Sequence, residues 1–259
     1  MEVKFQMRRS TTKSKLVSST LSISAILFLL LLWMIVASIY QNDLIFPSIK
    51  SIIQAFFRIF QTSNSLKAIG FTCIRVILSV VICFFLGLVI TGIYIICPMS
   101  IHFLRPMIQM MRSIPLAVIS IFIFILIGDK IGPYIITILM SLPIVLEGMM
   151  TSVNQINPHI IDEVNMLSGN VWQKIKSVYL PIVFPYVIMC LIQTLGMSFK
   201  VMIMGEYICQ TNTSIGKVLY SVKMNIEMDS LVAYGILIVL IVVVLEYMIG
   251  YCKRRVESI

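Results

Sequence analysis

The feature that most constrains this chain is a series of apolar runs, each long enough to cross a hydrocarbon core and most of them bounded by lysine or arginine. The runs are Leu21–Tyr40, Ile69–Ile96, Met107–Ile127, Pro133–Met150, Ile182–Met204 and Leu231–Tyr251. A helix needs about 20 mostly apolar residues to span a bilayer, and only helices and closed barrels satisfy every backbone polar group in lipid. The chain is therefore expected to be an all-α integral membrane protein of about six transmembrane helices. Composition agrees: 59% of the 259 residues are hydrophobic and 12% charged, against about 25% charged in soluble domains.

The formal charge of +9 does not point to nucleic acid, because the cations cluster at the ends of apolar runs rather than among aromatic residues. Their placement sets orientation. With the N-terminus cytoplasmic, the inner segments hold Lys4, Arg8, Arg9, Lys13, Lys15, Arg105, Lys174, Lys176, Lys253, Arg254 and Arg255. The outer ones hold Lys50, Arg58, Lys67, Lys130, Lys217 and Lys223, so both termini are expected in the cytoplasm. Organisation follows as a basic tail (1–20), a first span (21–40), a membrane core (41–252) and a short cytoplasmic tail (253–259). The first run is longer than a signal-peptide core and lacks an A-x-A-like cleavage site, so it is read as retained. Between Phe46 and Phe60, the apolar residues Ile49, Ile52, Ile53, Phe56, Phe57 and Phe60 recur at helical spacing while Lys50, Gln54 and Arg58 interrupt them. That pattern predicts an amphipathic helix at the membrane interface.

The longest inner loop, 157–180, lies between the fourth and fifth runs and keeps a helical period through Ile160, Ile161, Val164, Leu167, Val171, Trp172, Ile175 and Val178. Pro158 suits a first helical position, Asp162 and Glu163 sit where a helix dipole favours anions, and Gly169 permits a break between two short helices. The apolar face of such a pair needs cover, either from the chain's own helix ends and lipid or from a groove on a partner.

The run Asp162-Glu163-Val164-Asn165-Met166-Leu167-Ser168-Gly169-Asn170-Val171-Trp172, closing at Leu180-Pro181, resembles the E-A-A…G…L-P loop of permease subunits of bacterial ABC importers. Asp162 takes the Glu position, Glu163 and Val164 the two Ala positions, and Ser168 the usual Gly position, with Gly169 one residue late. Leu104-Arg105-Pro106 and Arg112-Ser113-Ile114-Pro115 are similar to the L-x-P…R-S-I-P segment of the taurine, alkanesulfonate and nitrate branch. Further similarities are Phe46-Pro47-Ser48, Arg75, Gly128-Asp129-Lys130-Ile131-Gly132, and Gly205-Glu206 with Gly216. The resemblance covers roughly residues 44 to 255 in family order. It implies a type I importer permease whose 157–180 loop is a coupling helix docking on the ATPase. It also implies a cytoplasmic ABC ATPase dimer that uses ATP and Mg²⁺, a second permease copy, and an external solute-binding protein.

The ionisable residues in or beside the runs are Arg75, Arg112, Glu147, Lys200 and Glu206, and a charge at the bilayer centre costs at least about 3 kcal/mol. Lys200, Arg112 and Glu206 are candidates for a translocation pathway for a small anionic or organic solute, Glu206 as a gate or a pairing partner. Snorkelling and structural ion pairing are the competing readings.

The six cysteines lack C-x-x-C spacing, and His102 and His159 stand apart from them and from each other, so no metal site is expected. The phosphate-cradling G-x-x-x-x-G-K-S/T pattern is absent, so no cofactor is expected on this chain and a separate subunit must supply ATP hydrolysis. A membrane-embedded enzyme would need a convergent set of catalytic side chains that the sequence does not offer. A secondary transporter working without an ATPase is the alternative, disfavoured by the lack of repeated halves.

Overall fold

The computed structural model describes residues 45–157 and 171–257, together with 21, 24, 25, 27, 28, 30–39, 159 and 166. All regular structure among them is helical. In chain order the elements are α1 (Leu30–Ile39), α2 (Ile49–Gln61), α3 (Ser63–Ile96), α4 (Ile101–Ser113), α5 (Leu116–Ile127), α6 (Gly132–Asn154), α7 (Trp172–Cys209), α8 (Ile215–Met224) and α9 (Met228–Glu257). Among the described residues, four helices (α3, α6, α7 and α9) are long and apolar enough to cross a membrane, or five if α4 and α5 count as one broken span.

That broken span corrects the reading of Met107–Ile127 as one straight helix. Pro115 forces the residue before it out of the helical region: Ile114 has φ −74°, ψ 124°, and α4 meets α5 at 93°. The 12 residues of α5 rise only about 18 Å at 1.5 Å each, short of a hydrocarbon core about 30 Å thick. The helix stops at Gly128, whose φ of +87° suits a residue without Cβ.

A second correction concerns Leu180-Pro181, expected to close the inner loop. The helix instead runs through both residues, from Trp172 to Cys209. Pro181 and Pro185 each lack the N–H that an α-helix would use, and just before them Ile175–Tyr179 widens into a π-helical turn. Such a turn accommodates a disrupted hydrogen-bond ladder while the helix continues.

The core forms where α3, α6, α7 and α9 pack together. Val76, Val80 and Cys83 of α3 meet Val145 and Met149 of α6, Phe199 and Met202 of α7, and Ala233 and Leu237 of α9. Lipid is as apolar as leucine, so close packing rather than water exclusion holds such helices together, and small residues permit it. A Cβ on Gly87 would lie 2.5 Å from Val145 Cγ1, and one on Gly148 would lie 2.6 Å from Cys190 Sγ. The Ser141 and Ser198 hydroxyls add a hydrogen bond of 2.8 Å between α6 and α7.

α2 has the amphipathic form read from its sequence. Ser48 caps it by accepting from Ser51 N–H at 3.3 Å, Ile52, Ala55 and Ile59 join the core, and Ile53, Phe57 and Phe60 are exposed. Arg58 ties it to the start of α9 through Asp229 at 3.1 Å. The Trp33 indole N–H of α1 donates to Pro47 O at 3.2 Å.

α3, α6 and α9 run in one direction and α7 in the other, which gives the bundle two ends. Gly128, the close of α7 and the start of α9 mark one; the close of α3, Asn154 and the start of α7 mark the other, where Tyr94 donates to Asn154 at 2.7 Å.

Candidate functional site

At the Gly128 end, Glu206 is fully buried inside the last turn of α7. Arg75 Nη1 donates to its carboxylate at 2.8 Å, Thr72 Oγ1 lies 2.9 and 3.0 Å from its two oxygens, and the Gly216 N–H donates at 3.3 Å. Arg75 also donates to the carbonyls of Asn212 and Thr213 at 3.1 and 3.2 Å, and Thr72 accepts from Ile215 N–H at 3.1 Å. The turn they hold is tight: Gln210 and Thr213 adopt φ of 53° and 52°, a conformation strained for a β-branched residue and kept by its surroundings. A Cβ on Gly216 would fall 2.5 Å from Glu206 Cβ, so only glycine lets α8 begin against α7. Just beyond the membrane-spanning part, a hydrogen bond with Tyr207 holds the Lys223 ammonium above the usual lysine range.

Arg75, 131 positions from Glu206, thus forms one cluster with Glu206 and Gly216. Glu206 pairs with Arg75 and is fully buried.

Toward the Asn154 end lies an open cavity of about 760 Å³, lined by Arg112, Glu147, Tyr186, Gln193 and Glu246 among others. Ligand-sized pockets run from about 300 to 1,000 Å³. Arg112 and Glu147 form an ion pair there, each about half exposed. Glu246 of α9 covers Gly196, where a Cβ would meet its Oε1 at 2.6 Å.

One face of α7 continues from this cavity along the helix. Tyr186, Met189, Gln193, Met197, Lys200 and Met204 are all exposed and recur every three or four residues, while Val201, Met202 and Ile203 are buried. Lys200 lies on this stripe, outside the cavity wall.

Of the expected coupling-loop residues, Asp162, Glu163, Val164, Leu167, Ser168 and Gly169 lie outside the described residues. Trp172 is exposed at the start of α7, and Leu180 and Pro181 are exposed within it. Sequence reasoning missed Glu246, Tyr186 and Gln193 as a group. The seven-residue spacing of Tyr186, Gln193 and Lys200 was the available signal for the α7 face, whereas nothing local tied Glu246 to it.

The family described as binding-protein-dependent transport system inner membrane component matches residues 101–258. The chain belongs to this family. Its match takes in the bent α4–α5 segment, the cavity walls from α6, α7 and α9, and the loop between α6 and α7. Solved structures share the fold. A bacterial ABC transporter involved in import of the acidic polysaccharide alginate is 16% identical, with TM-score 0.65, covering 96% of this chain and 99% of that one. The bacterial alginate transporter in complex with a periplasmic protein carrying an alginate pentasaccharide gives 16%, 0.63, 90% and 94%. An inward-facing form of the MetNI methionine ABC transporter gives 16%, 0.62, 74% and 94%. Comparison with curated proteins finds no match. The chain is a permease subunit of an ABC importer, a multi-pass protein of a bacterial membrane, and its family is one of transport components rather than enzymes.

Proposed function

We propose that this permease pairs with a second copy of itself so that the exposed α7 stripe and the adjoining cavity form the translocation pathway for a small solute. The observation that carries this reading is the stripe itself: polar and charged side chains, Gln193 and Lys200 among them, stay exposed on a helix whose opposite face is core. Charges in membrane helices belong on protein or water-filled surfaces rather than against lipid. Lys200 and Arg112 are the pathway cations in this reading.

A cytoplasmic ABC ATPase dimer supplies the energy by using ATP and Mg²⁺, and this chain binds no cofactor of its own. The loop 157–180, through Asp162, Glu163, Val164, Leu167, Ser168, Gly169, Trp172 and the following Leu180-Pro181, couples the two. Its flanking residues Asn157 and Trp172 both belong to the Asn154 end of the bundle, which the distribution of Lys and Arg assigns to the cytoplasm. An external solute-binding protein then docks at the Gly128 end, where the Arg75–Glu206 cluster holds the 210–216 turn in place. The sequence similarities at Arg112-Ser113-Ile114-Pro115 and Gly205-Glu206 favour the taurine, alkanesulfonate and nitrate-like branch.

The test is purification of the tagged chain with its genomic neighbours in mild detergent, followed by ATPase assay. A P-loop ATPase should be recovered with the parent chain and lost with Val164→Arg, which should still insert normally. A stable chain without ATPase that moves solute under an ion gradient would replace this reading with a secondary transporter.

A further inference from the structure

A second cavity, of about 340 Å³, lies between α4 and α6 toward the Asn154 end of the bundle. Arg105, Gln109 and Arg112 are spaced by four and three residues, so they share the face of α4 that walls it. Glu147, Thr151 and Asn154 stand opposite on α6. Among the described residues Glu147 is the only carboxylate in this wall, and Arg112 already holds it. Arg105 makes no hydrogen bond or ion pair with the described residues, so the wall carries one positive charge in excess. Glu246 does not offset it, for it lines only the larger cavity and lies at Gly196, one helical turn from Lys200. Neutral donors complete the site. The Asn154 side-chain carbonyl accepts from Tyr94 at 2.7 Å, which leaves its amide N–H groups to donate, and the Gln109 amide and Thr151 hydroxyl are exposed beside it. A guanidinium fork with amide and hydroxyl donors around one cavity is the chemistry that holds an oxyanion.

Resting on the pathway reading above, we infer that this cavity is an exit-side station for the solute's oxyanion group, with Arg105 as its counter-charge and Gln109, Thr151 and Asn154 as its hydrogen-bond donors. The two cavities share Arg112, Glu147 and Thr151, so a solute leaving the larger one passes directly into the smaller. Arg112, held by Glu147, marks the passage between them. Arg105 stands two turns, about 10 Å, from Arg112 along α4, on the side of the Asn154 end, and draws the anion onward.

The experiment uses the assembled transporter carrying Ile108→Cys, a reporter that lines this cavity and leaves all four donors in place, with the parent chain as background for the native cysteines. The thiol is labelled with an anionic sulfonatoethyl or a cationic aminoethyl methanethiosulfonate, each rate divided by that for a free thiol in solution. The anionic reagent should lead by about tenfold, the order expected of one nearby unit charge acting on reagents of opposite sign. Adding Arg105→Gln should bring the ratio close to parity, whereas Arg105→Lys, which keeps the charge, should preserve most of it. Methanesulfonate should slow labelling and tetramethylammonium should not. The same protection is expected in nanodiscs of phosphatidylcholine with or without phosphatidylglycerol. A ratio unmoved by Arg105→Gln, a cationic reagent that reacts as fast or faster, or blocking by phosphatidylglycerol while methanesulfonate does nothing would overturn the inference, the last by giving the site to a lipid headgroup. Co-purified ATPase is scored on the same preparation. Failure of the transport reading thus shows as a chain without ATPase, and failure of this inference as a cavity indifferent to methanesulfonate in an assembled complex.

Discussion

Arg75–Glu206 and Arg112–Glu147 are both arginine–glutamate pairs in one membrane bundle, yet their surroundings give them different work. The first is closed: Glu206 is fully buried, its arginine is 12% exposed, and Thr72 and Gly216 occupy the remaining carboxylate contacts. The second is open, with side chains 52% and 54% exposed on the wall of a cavity and a further carboxylate, Glu246, beside it. A closed pair spends its charge on holding α3, α7 and the 210–216 turn together. An open pair leaves its charge available to whatever enters. Burial, not residue type, makes the difference.

The comparison can be broken most sharply at Arg75. Arg75→Ala leaves the Glu206 carboxylate buried without its counter-charge, a loss of about 3–5 kcal/mol. Thermal unfolding in detergent should show a large fall, and Arg75→Met with Glu206→Gln should recover most of it. An unchanged midpoint in the single variant would mean that the cluster is not a structural lock. Gly216→Ala comes next, because its Cβ would drive into Glu206; overpacking of this kind costs about 1–3 kcal/mol, read in the same melt. Smallest in stability is Arg112→Ala, since a half-exposed pair is worth no more than about 1 kcal/mol. Its melting curve should nearly match the parent's while transport falls. Equal losses of stability from Arg75→Ala and Arg112→Ala would erase the distinction.

Much of the fold was legible because lipid imposes a simple rule: long apolar runs become helices. α3, α6, α7 and α9 follow from it, although α3 starts at Ser63 and α7 reaches Cys209, beyond the apolar runs that announced them. Hydropathy reports the membrane-facing part of a helix and not where its hydrogen bonds end. The break at Ile114 could have been read from Pro115, but the apolar residues on both sides masked it. Continuity through Leu180-Pro181 was less accessible, because whether a proline ends a helix or is carried by a widened turn depends on the neighbouring packing.

The sites divide the same way. Glu206 and Arg75 were each visible as charges near the membrane, and their cost there already required partners. Their pairing with each other, across 131 positions of sequence, came only from the crossing of α3 and α7. Glu246 in α9 drew no notice until the fold brought it beside Gly196.

By itself, the sequence determined that this chain lives in a membrane, crosses it repeatedly as helices and carries the segments of an importer permease. Those properties depend on local composition and order, which any stretch of chain displays. Only the tertiary structure decided which charges are locked and which are open. Exposure and pairing are set by the helices that pack around a residue, and no single helix contains that information.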